Sequence, residues 1–471
     1  SQLLEEISRQ KTGERVVCED GADGLEQACP RFQERLEELN GMDYDDILLK
    51  AVKALEEGKM DEKPFRYLLV DEFQDVSSLQ YRLIRLMNRR GRQLFVIGDP
   101  DQSIYGFRGS DSRIFERLSR DEPELCRIRL EENYRSSGHI VHAARELIRH
   151  NPGPERGLWT RKEAGTPLRL VSAASEMSEA IFAAKEINRM VGGIDMLDAQ
   201  EGFGPSEEKK TRSFGDIAVI YRTHRQGELL ERCLCQEGIP YIVAGREEFL
   251  QADSVRGSLS FFSCLAGEES QLTRPLCRKL LWKDREPEDG EWEQLTAEFL
   301  PLYQKQKPGK FLEAWVRRMG FQEDGPMEKF CSMAPFYRTM KEMAEAVRYG
   351  GESDLKRCGQ KTYASDAVTL TTIHGAKGLE FPAVILFGAR KGLIPLETKR
   401  GETDEEEERR LFFVGVTRAM EELVITSSKE PSVFLAELPK EDRLSEQTGR
   451  REKKGQEHQM SLFELDPSFG K

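Results

Sequence analysis

The chain has 471 residues, enough for about three domains at ~150 residues each, so a sizeable core is expected. With 38% hydrophobic and 33% charged residues it has a heavily solvated surface, and no run approaches the ~18 apolar residues that a membrane span needs. The formal net charge of −13 argues against a wholesale electrostatic grip on nucleic acid, although a single basic groove is compatible with it. The nine cysteines are scattered, with only Cys233 and Cys235 close together, which fits neither a disulfide framework nor a zinc site with paired ligands. Residues 1–10 carry no signal or transit pattern, so a reducing, cytoplasmic setting is the simplest expectation.

Residues 1–40 mix helix formers and charges (LLEEISRQ, then RFQERLEELN) and contain no strand that could start a sheet; they read as helices severed from something earlier. GMDYDDILLKAVKALEEG reads as a cap and an amphipathic helix, with Ile47, Leu48, Val52 and Leu55 on one side and Gly58 at its end. Asp43, Asp45 and Asp46 are expected to cap this helix and offset its dipole rather than to catalyse. At 65–75, FRYLLVDEFQD predicts a short strand buried on both faces and ending in two carboxylates. In an open α/β sheet that end is where ligands sit. Asp71 could there hold a Mg²⁺ ion that bridges nucleotide phosphates, and Glu72 could orient or deprotonate a water; the alternative is a strand end turning into solvent.

VSSLQYRLIRLMNRR is a second helix, and QLFVIGDPDQSIYGFRGSD gives another strand running into a loop rich in Gly and Asp. Gln102, donor and acceptor at once, suits the sensing of a γ-phosphate and its attacking water. Tyr105, Phe107 and Arg108 interleave π-faces with a positive charge, as a sequence-tolerant single-strand track requires at ~1–3 kcal/mol per stacked base; for any one ring the alternative is core packing. IRLEENYRSSGHIVHAARELI predicts a strand leading into a helix. Tyr134 and Arg135 at its junction could stack on an adenine and reach a phosphate, or be a packed Tyr and a surface Arg. LWTRKEAGTPLRLVSA and SFGDIAVIYRTHRQGELLERCLCQEGIPYIVAG add at least two strands, with a helix between the last pair, and the polar insertion 201–212 predicts a mobile loop. Such alternation of strand and helix marks a parallel α/β sheet.

From 250 to about 362 the pattern changes to helices with no clear strand, holding Trp282, Trp292 and Trp315, and predicts an inserted helical domain. Parallel α/β returns with AVTLTTIHGAKGLEFPAVILFG, whose first strand enters a loop holding His374, Lys377 and Glu380 and whose second ends at Gly388. The acidic run 402–408 reads as a solvated face at the head of the helix RRLFFVGVTRAMEEL, on which Arg418 is either a dipole partner or a phosphate-directed finger. Beyond Lys440 the polar, charged sequence predicts disorder, and the apolar burst QMSLFEL near its end suggests a short docking peptide.

In order, VDEFQD, GDPDQSIYGFRG, ENYRSS, TIHGAKGLEFP and VGVTRA resemble the Walker B, third, fourth, fifth and sixth motifs of superfamily 1 DNA helicases of the UvrD, Rep and PcrA type, over 43–419. The resemblance implies an α/β fold of two RecA-like parallel-sheet domains, the first incomplete, with a helical insertion in the second. Residues 1–42 would be a remnant of the first accessory helical subdomain, 43–125 the C-terminal part of the first RecA-like domain and 126–250 with 365–438 the second. The accessory insertion would be 251–364, and 439–471 a disordered tail. It further implies an ATP-dependent helicase or translocase moving 3′ to 5′ on single-stranded DNA in repair or replication, with ATP and Mg²⁺ as cofactors. Asp71 would hold the metal and Glu72 activate water; Gln102, Arg135 and Arg418 would surround the γ-phosphate; Tyr134 would stack on adenine and Glu380 contact the ribose. Tyr105, Phe107, Arg108 and His374 would line the DNA track, Phe107 standing where many relatives have Trp.

No G-x-x-x-x-G-K-[ST] occurs; GQKT at 359–362 has Gln360 where a Gly is required and no strand before it. The chain therefore reads as a helicase without its N-terminal part, expected to hydrolyse little or no ATP unaided, the alternative being a non-catalytic DNA- or clamp-binding adaptor derived from a helicase. QMSLF resembles the peptide by which bacterial replication and repair proteins dock on the sliding clamp, with Gln459, Ser461, Leu462 and Phe463 as docking residues.

Overall fold

The computed structural model describes residues 2–12, 28–59, 65–89, 93–111, 113–153, 157–192, 211–283, 285, 290–359, 365–397 and 403–448. The expected docking residues Gln459, Ser461, Leu462 and Phe463, most of the 201–212 insertion and most of the rejected GQKT stretch lie outside them.

Asp43 starts the helix Tyr44–Glu56 as expected: its carboxylate accepts from the Asp46 amide while the Asp46 carboxylate accepts from the Asp43 amide, a reciprocal cap. Lys11 of the helix Gln2–Thr12 lies 2.6 Å from Asp43 and 3.0 Å from Asp46 and ties the two helices together. Strands β1 (Tyr67–Val70) and β2 (Gln93–Val96) then pair in parallel, joined by the helix Ser78–Met87. Phe73, Val76, Tyr81, Ile114 and Leu118 form the small core beneath them.

Two strand expectations fail, one in this first lobe and one in the segment that follows it. β1 is not buried on both faces: Tyr67 is 53% and Leu69 69% exposed, because these alternate residues share a face that no described layer covers. The strand expected at IRLEEN does not form either. Among the described residues the segment makes only a bridge to Trp159, whose amide donates to Glu131 O at 3.0 Å and whose carbonyl accepts from the Asn133 amide at 2.7 Å, and Leu130 is 89% exposed.

The second lobe is built on β3 (Leu168–Ala173), β4 (Ile217–Tyr221), β5 (Tyr241–Ala244), β6 (Lys356–Cys358), β7 (Val368–Thr372), β8 (Phe381–Phe387), β9 (Ala419–Ser428) and β10 (Arg443–Gln447). Their order is β10-β3-β9-β8-β4-β7-β5-β6, parallel except for β6 on β5. Alternate residues of β4 face opposite layers. Ala218 and Ile220 join the core under the helices Gly138–Ile148 and Glu405–Val416, while Ile217 and Val219 join that under Glu176–Met190 and His224–Gln236.

Three boundaries differ from expectation. The helix read over RRLFFVGVTRAMEEL ends at Val416, and AMEEL opens β9, which is taken into the sheet between β3 and β8; Arg418 sits in the turn between. Arg443–Gln447, read as part of a disordered tail, forms the edge strand β10, clamped where Arg169 donates to both carboxylate oxygens of Glu446 at 2.7 and 2.9 Å. The acidic run is only partly solvated: Glu408 accepts from Arg222 at 2.7 Å and from the Leu396 amide at 3.0 Å.

Between β5 and β6 lie the helices Asp253–Leu265, Thr273–Leu281, Glu291–Lys305, Pro308–Met319, Gly325–Cys331 and Met340–Tyr349. Their core centres on Trp315, which stacks on Phe261 at 4.9 Å between ring centroids and donates its indole N–H to Ser258 Oγ at 2.8 Å. β6 is the one strand among the described residues of this segment.

Candidate active site and nucleic-acid interface

β1 delivers Asp71 and Glu72 to the edge of the cleft between the lobes. Asp71 Oδ1 accepts from the Glu72 amide at 2.8 Å, and Glu72 takes a left-handed backbone, φ +50°. The buried Gln74 joins this turn to the one after β2: it donates to the Glu72 carboxylate, and its Oε1 accepts from the Asp99 amide at 2.9 Å. The approach demands glycine at 98, where a Cβ would stand 2.3 Å from Gln74 Oε1 and 2.9 Å from the Phe73 nitrogen. Asp99 accepts from the Asp101 amide at 3.0 Å and from Gln102 Nε2 at 2.7 Å. Burial raises the Asp99 pKa, the charge of Asp101 adds to the shift, and the two hydrogen bonds and Arg418 oppose it.

The facing wall comes from the second lobe. Asn133 Oδ1 accepts from the amides of Arg135 and Ser136 and shapes the turn that carries Arg135, whose Nε donates to Glu380 at 2.5 Å. Arg418, 1% exposed, donates to Val414 O at 2.9 Å, Leu379 O at 3.0 Å and Thr417 Oγ1 at 3.0 Å, all neutral oxygens. Burial, and then the nearby Arg135, lower its pKa to about 10, while Asp99, Glu380 and Glu72 pull the other way. Tyr134 is 75% exposed and donates to Glu132 at 2.9 Å, so its ring face is open rather than packed.

A third cluster joins the lobes. Lys377 Nζ donates to Asp75 Oδ2 at 2.6 Å and to Gln102 O at 2.9 Å, and sits 5.0 Å from the centre of the Tyr105 ring. Burial raises the Asp75 pKa against the opposing charge of Lys377. Tyr105, Phe107 and His374 form a triangle with centroid separations of 6.0, 6.1 and 5.6 Å, and Phe107 is 45% exposed. Arg108 closes the short turn Gly106–Arg108; its side chain lies outside the described residues.

The structure thus gathers Gln102, Arg135, Glu380 and Arg418 with Glu72 at one cleft, leaves Asp71 exposed with its carboxylate on the Glu72 amide, and groups Tyr105, Phe107 and His374 beside it. Sequence reasoning passed over Gln74 and Asp99, and named Lys377 in its loop without giving it a role. Asp99 stands three residues before Gln102 in DPDQ, a spacing that lets a side-chain cap form, whereas the Asp99 amide that Gln74 accepts from and the Asp75 carboxylate that Lys377 binds come from other elements and leave no local trace.

Two α/β lobes with parallel strands, acids on one wall of a cleft and guanidinium groups on the other, define the RecA-like class. Residues 4–123 match the UvrD/REP helicase N-terminal domain, and residues 128–283 with 322–430 match the UvrD-like helicase C-terminal domain. The chain is 28% identical to the ATP-dependent DNA helicase PcrA of Staphylococcus epidermidis over 89% of its own length and 65% of that protein. It is 30% identical to the ATP-dependent DNA helicase Rep of Escherichia coli over 92% of its length and 73% of that protein. PcrA of Staphylococcus aureus is 27% identical, again over 89% of this chain and 65% of the relative. The chain belongs to the UvrD/Rep helicase family, and it spans 65% of the length of the PcrA relatives it matches.

Proposed function

We propose that this chain carries the hydrolytic and DNA-gripping parts of an ATP-dependent helicase that moves 3′ to 5′ along single-stranded DNA. One observation carries the reading: a single short loop holds Asp99 and Gln102 at the cleft of Arg418 and, three and five residues on, the rings Tyr105 and Phe107 that meet His374. A phosphate gained or lost at one end of such a loop would be felt at the other.

The residues present fit ATP and Mg²⁺ in part. Arg418 is a buried cation whose hydrogen bonds go to neutral oxygens, so an anionic phosphate would compensate it. Asp71 would hold Mg²⁺ as a single carboxylate, since this ion keeps water and phosphate oxygens for the rest of its shell. Bound Mg²⁺ would neutralise charge on the transferring phosphoryl group. Glu72 would orient the attacking water, Gln102 and Arg135 would contact the γ-phosphate, and the open face of Tyr134 would take the adenine, with Glu380 near the ribose. The relatives' names, ATP-dependent DNA helicases, agree with this assignment. The sequence contains no phosphate-cradling G-x-x-x-x-G-K-[ST] loop, so the 471 residues by themselves should bind DNA yet turn over little ATP.

The test is ATP turnover with and without an oligo-dT strand, alongside strand affinity for the parent and a Tyr105→Ala/Phe107→Ala chain at one stated salt concentration. The parent should bind, the double variant should bind about tenfold or more weakly, as loss of one or two stacked bases at ~1–3 kcal/mol each requires, and DNA should not stimulate turnover. Unchanged affinity in the variant would sink the stacking track, and robust stimulated turnover would sink the claim of inactivity.

A further inference from the structure

Helix Glu405–Val416 reaches across the cleft at two points one turn apart, and both points fall on the backbone of the ring-bearing loop. Glu407 Oε1 accepts from the Gly106 amide at 3.0 Å. Arg410, 9% exposed, donates from Nε to Ser103 O at 2.8 Å. Tyr105 lies between the two held backbone groups, and Phe107 directly follows the second. The fit at Gly106 is close: a Cβ there would stand 2.5 Å from Glu407 Oε2. The opening residues of this helix read from sequence as a solvated acidic face, yet Glu407 is partly buried and spent on this contact.

We propose that Glu407 and Arg410 are positioning residues that set how Tyr105 and Phe107 are presented to single-stranded DNA, by holding the loop backbone on either side of Tyr105. The inference rests on the reading of those rings as the DNA track. Neither residue needs to touch DNA, and that separates this role from an electrostatic one. An acid beside a nucleic-acid track repels phosphate, so its removal would raise affinity if charge were its only effect; loss of a brace lowers affinity. A direct phosphate contact by Arg410 would add about 0.7 to the salt slope of single-strand binding, and a brace adds nothing.

The full chain is titrated with a fluorescein-labelled oligo-dT strand across several salt concentrations, and amide hydrogen exchange at Gly106 is followed without DNA. Glu407→Ala is expected to bind ~3–10-fold more weakly and to speed Gly106 exchange by about tenfold or more, as loss of a charge-assisted hydrogen bond allows. Glu407→Gln retains an acceptor oxygen and should recover both readouts to within about twofold. Gly106→Ala, which displaces the Glu407 side chain from the other side of the contact, should reproduce the Glu407→Ala result. Arg410→Ala should weaken binding with an unchanged salt slope. Affinity equal to or above the parent in Glu407→Ala, with Gly106 exchange unaltered, would overturn the inference while a weakened Tyr105→Ala/Phe107→Ala chain left the DNA track standing. If that double variant binds as the parent does, the track itself is overturned, and the DNA role of the brace with it.

Discussion

β1 and β4 have similar sequences, YLLV and IAVIY, and each pairs in parallel with its neighbours. β4 lies between β7 and β8 with helices on both faces, and all five of its residues are buried. Among the described residues β1 has only β2 beside it, and Tyr67 and Leu69 stand out in solvent. Burial of an apolar strand is therefore a property of the layers around it, and the same kind of sequence is core in one lobe and surface in the other. The two lobes also differ in what holds their cleft residues. Arg418 is fixed by main-chain oxygens of the helix Glu405–Val416 and of the loop before β8, whereas Asp71 and Glu72 rest on a short turn braced by Gln74.

The comparison can be broken most directly by matched truncations. Ile220→Ala on β4 is expected to cost ~2–5 kcal/mol in denaturant unfolding, against a change within ~0.5 kcal/mol for Leu69→Ala on β1. Equal costs would mean that the exposed face of β1 is covered in solution. Next in size is the strap between the lobes. Lys377→Met leaves the Asp75 carboxyl without its cation and should cost ~1.5–3 kcal/mol, seen as a lower unfolding midpoint for the first lobe; an unmoved midpoint would remove Lys377 as a brace.

The smallest effect concerns Glu179, buried in the large lobe, where it accepts from the Gly388 amide at 2.8 Å and from Thr426 Oγ1 at 2.6 Å. Burial raises its pKa above the unfolded carboxyl value of about 4.3, against the opposing hydrogen bonds and Arg390. Because the folded state holds the proton more firmly, the stability this group contributes is complete below the unfolded value and falls as pH rises through the folded one. Glu179→Gln keeps an acceptor oxygen and should flatten that decline in unfolding midpoints taken from about pH 4 to 8. An unaltered slope would show that Glu179 does not carry it.

Much of the architecture was legible in the residues. Asp43 and Asp46 announce a helix start because capping is a local hydrogen-bond pattern, and they form it. Strand alternating with helix announced the parallel sheet, and the loops after β2 and β7 announced the rings that meet at the cleft. AMEEL was misread as helix because its apolar and acidic residues suit either period over so short a stretch, and its place between β3 and β8 decides the matter. RLSEQ is too polar to be recognised as a strand; the Arg169–Glu446 pair and the open edge of β3 make it one.

The sequence by itself determined the Asp43 cap, the alternation of strand and helix that marks a parallel sheet, and the chemical types brought to the cleft, because each of these depends on neighbours within about one helical turn or on side-chain chemistry alone. Tertiary structure alone decided which apolar strand is covered, which way AMEEL folds, and that Lys377, Glu407 and Arg410 bind groups about 300 residues away, since the partners of these contacts are far apart in sequence and meet only when the layers pack.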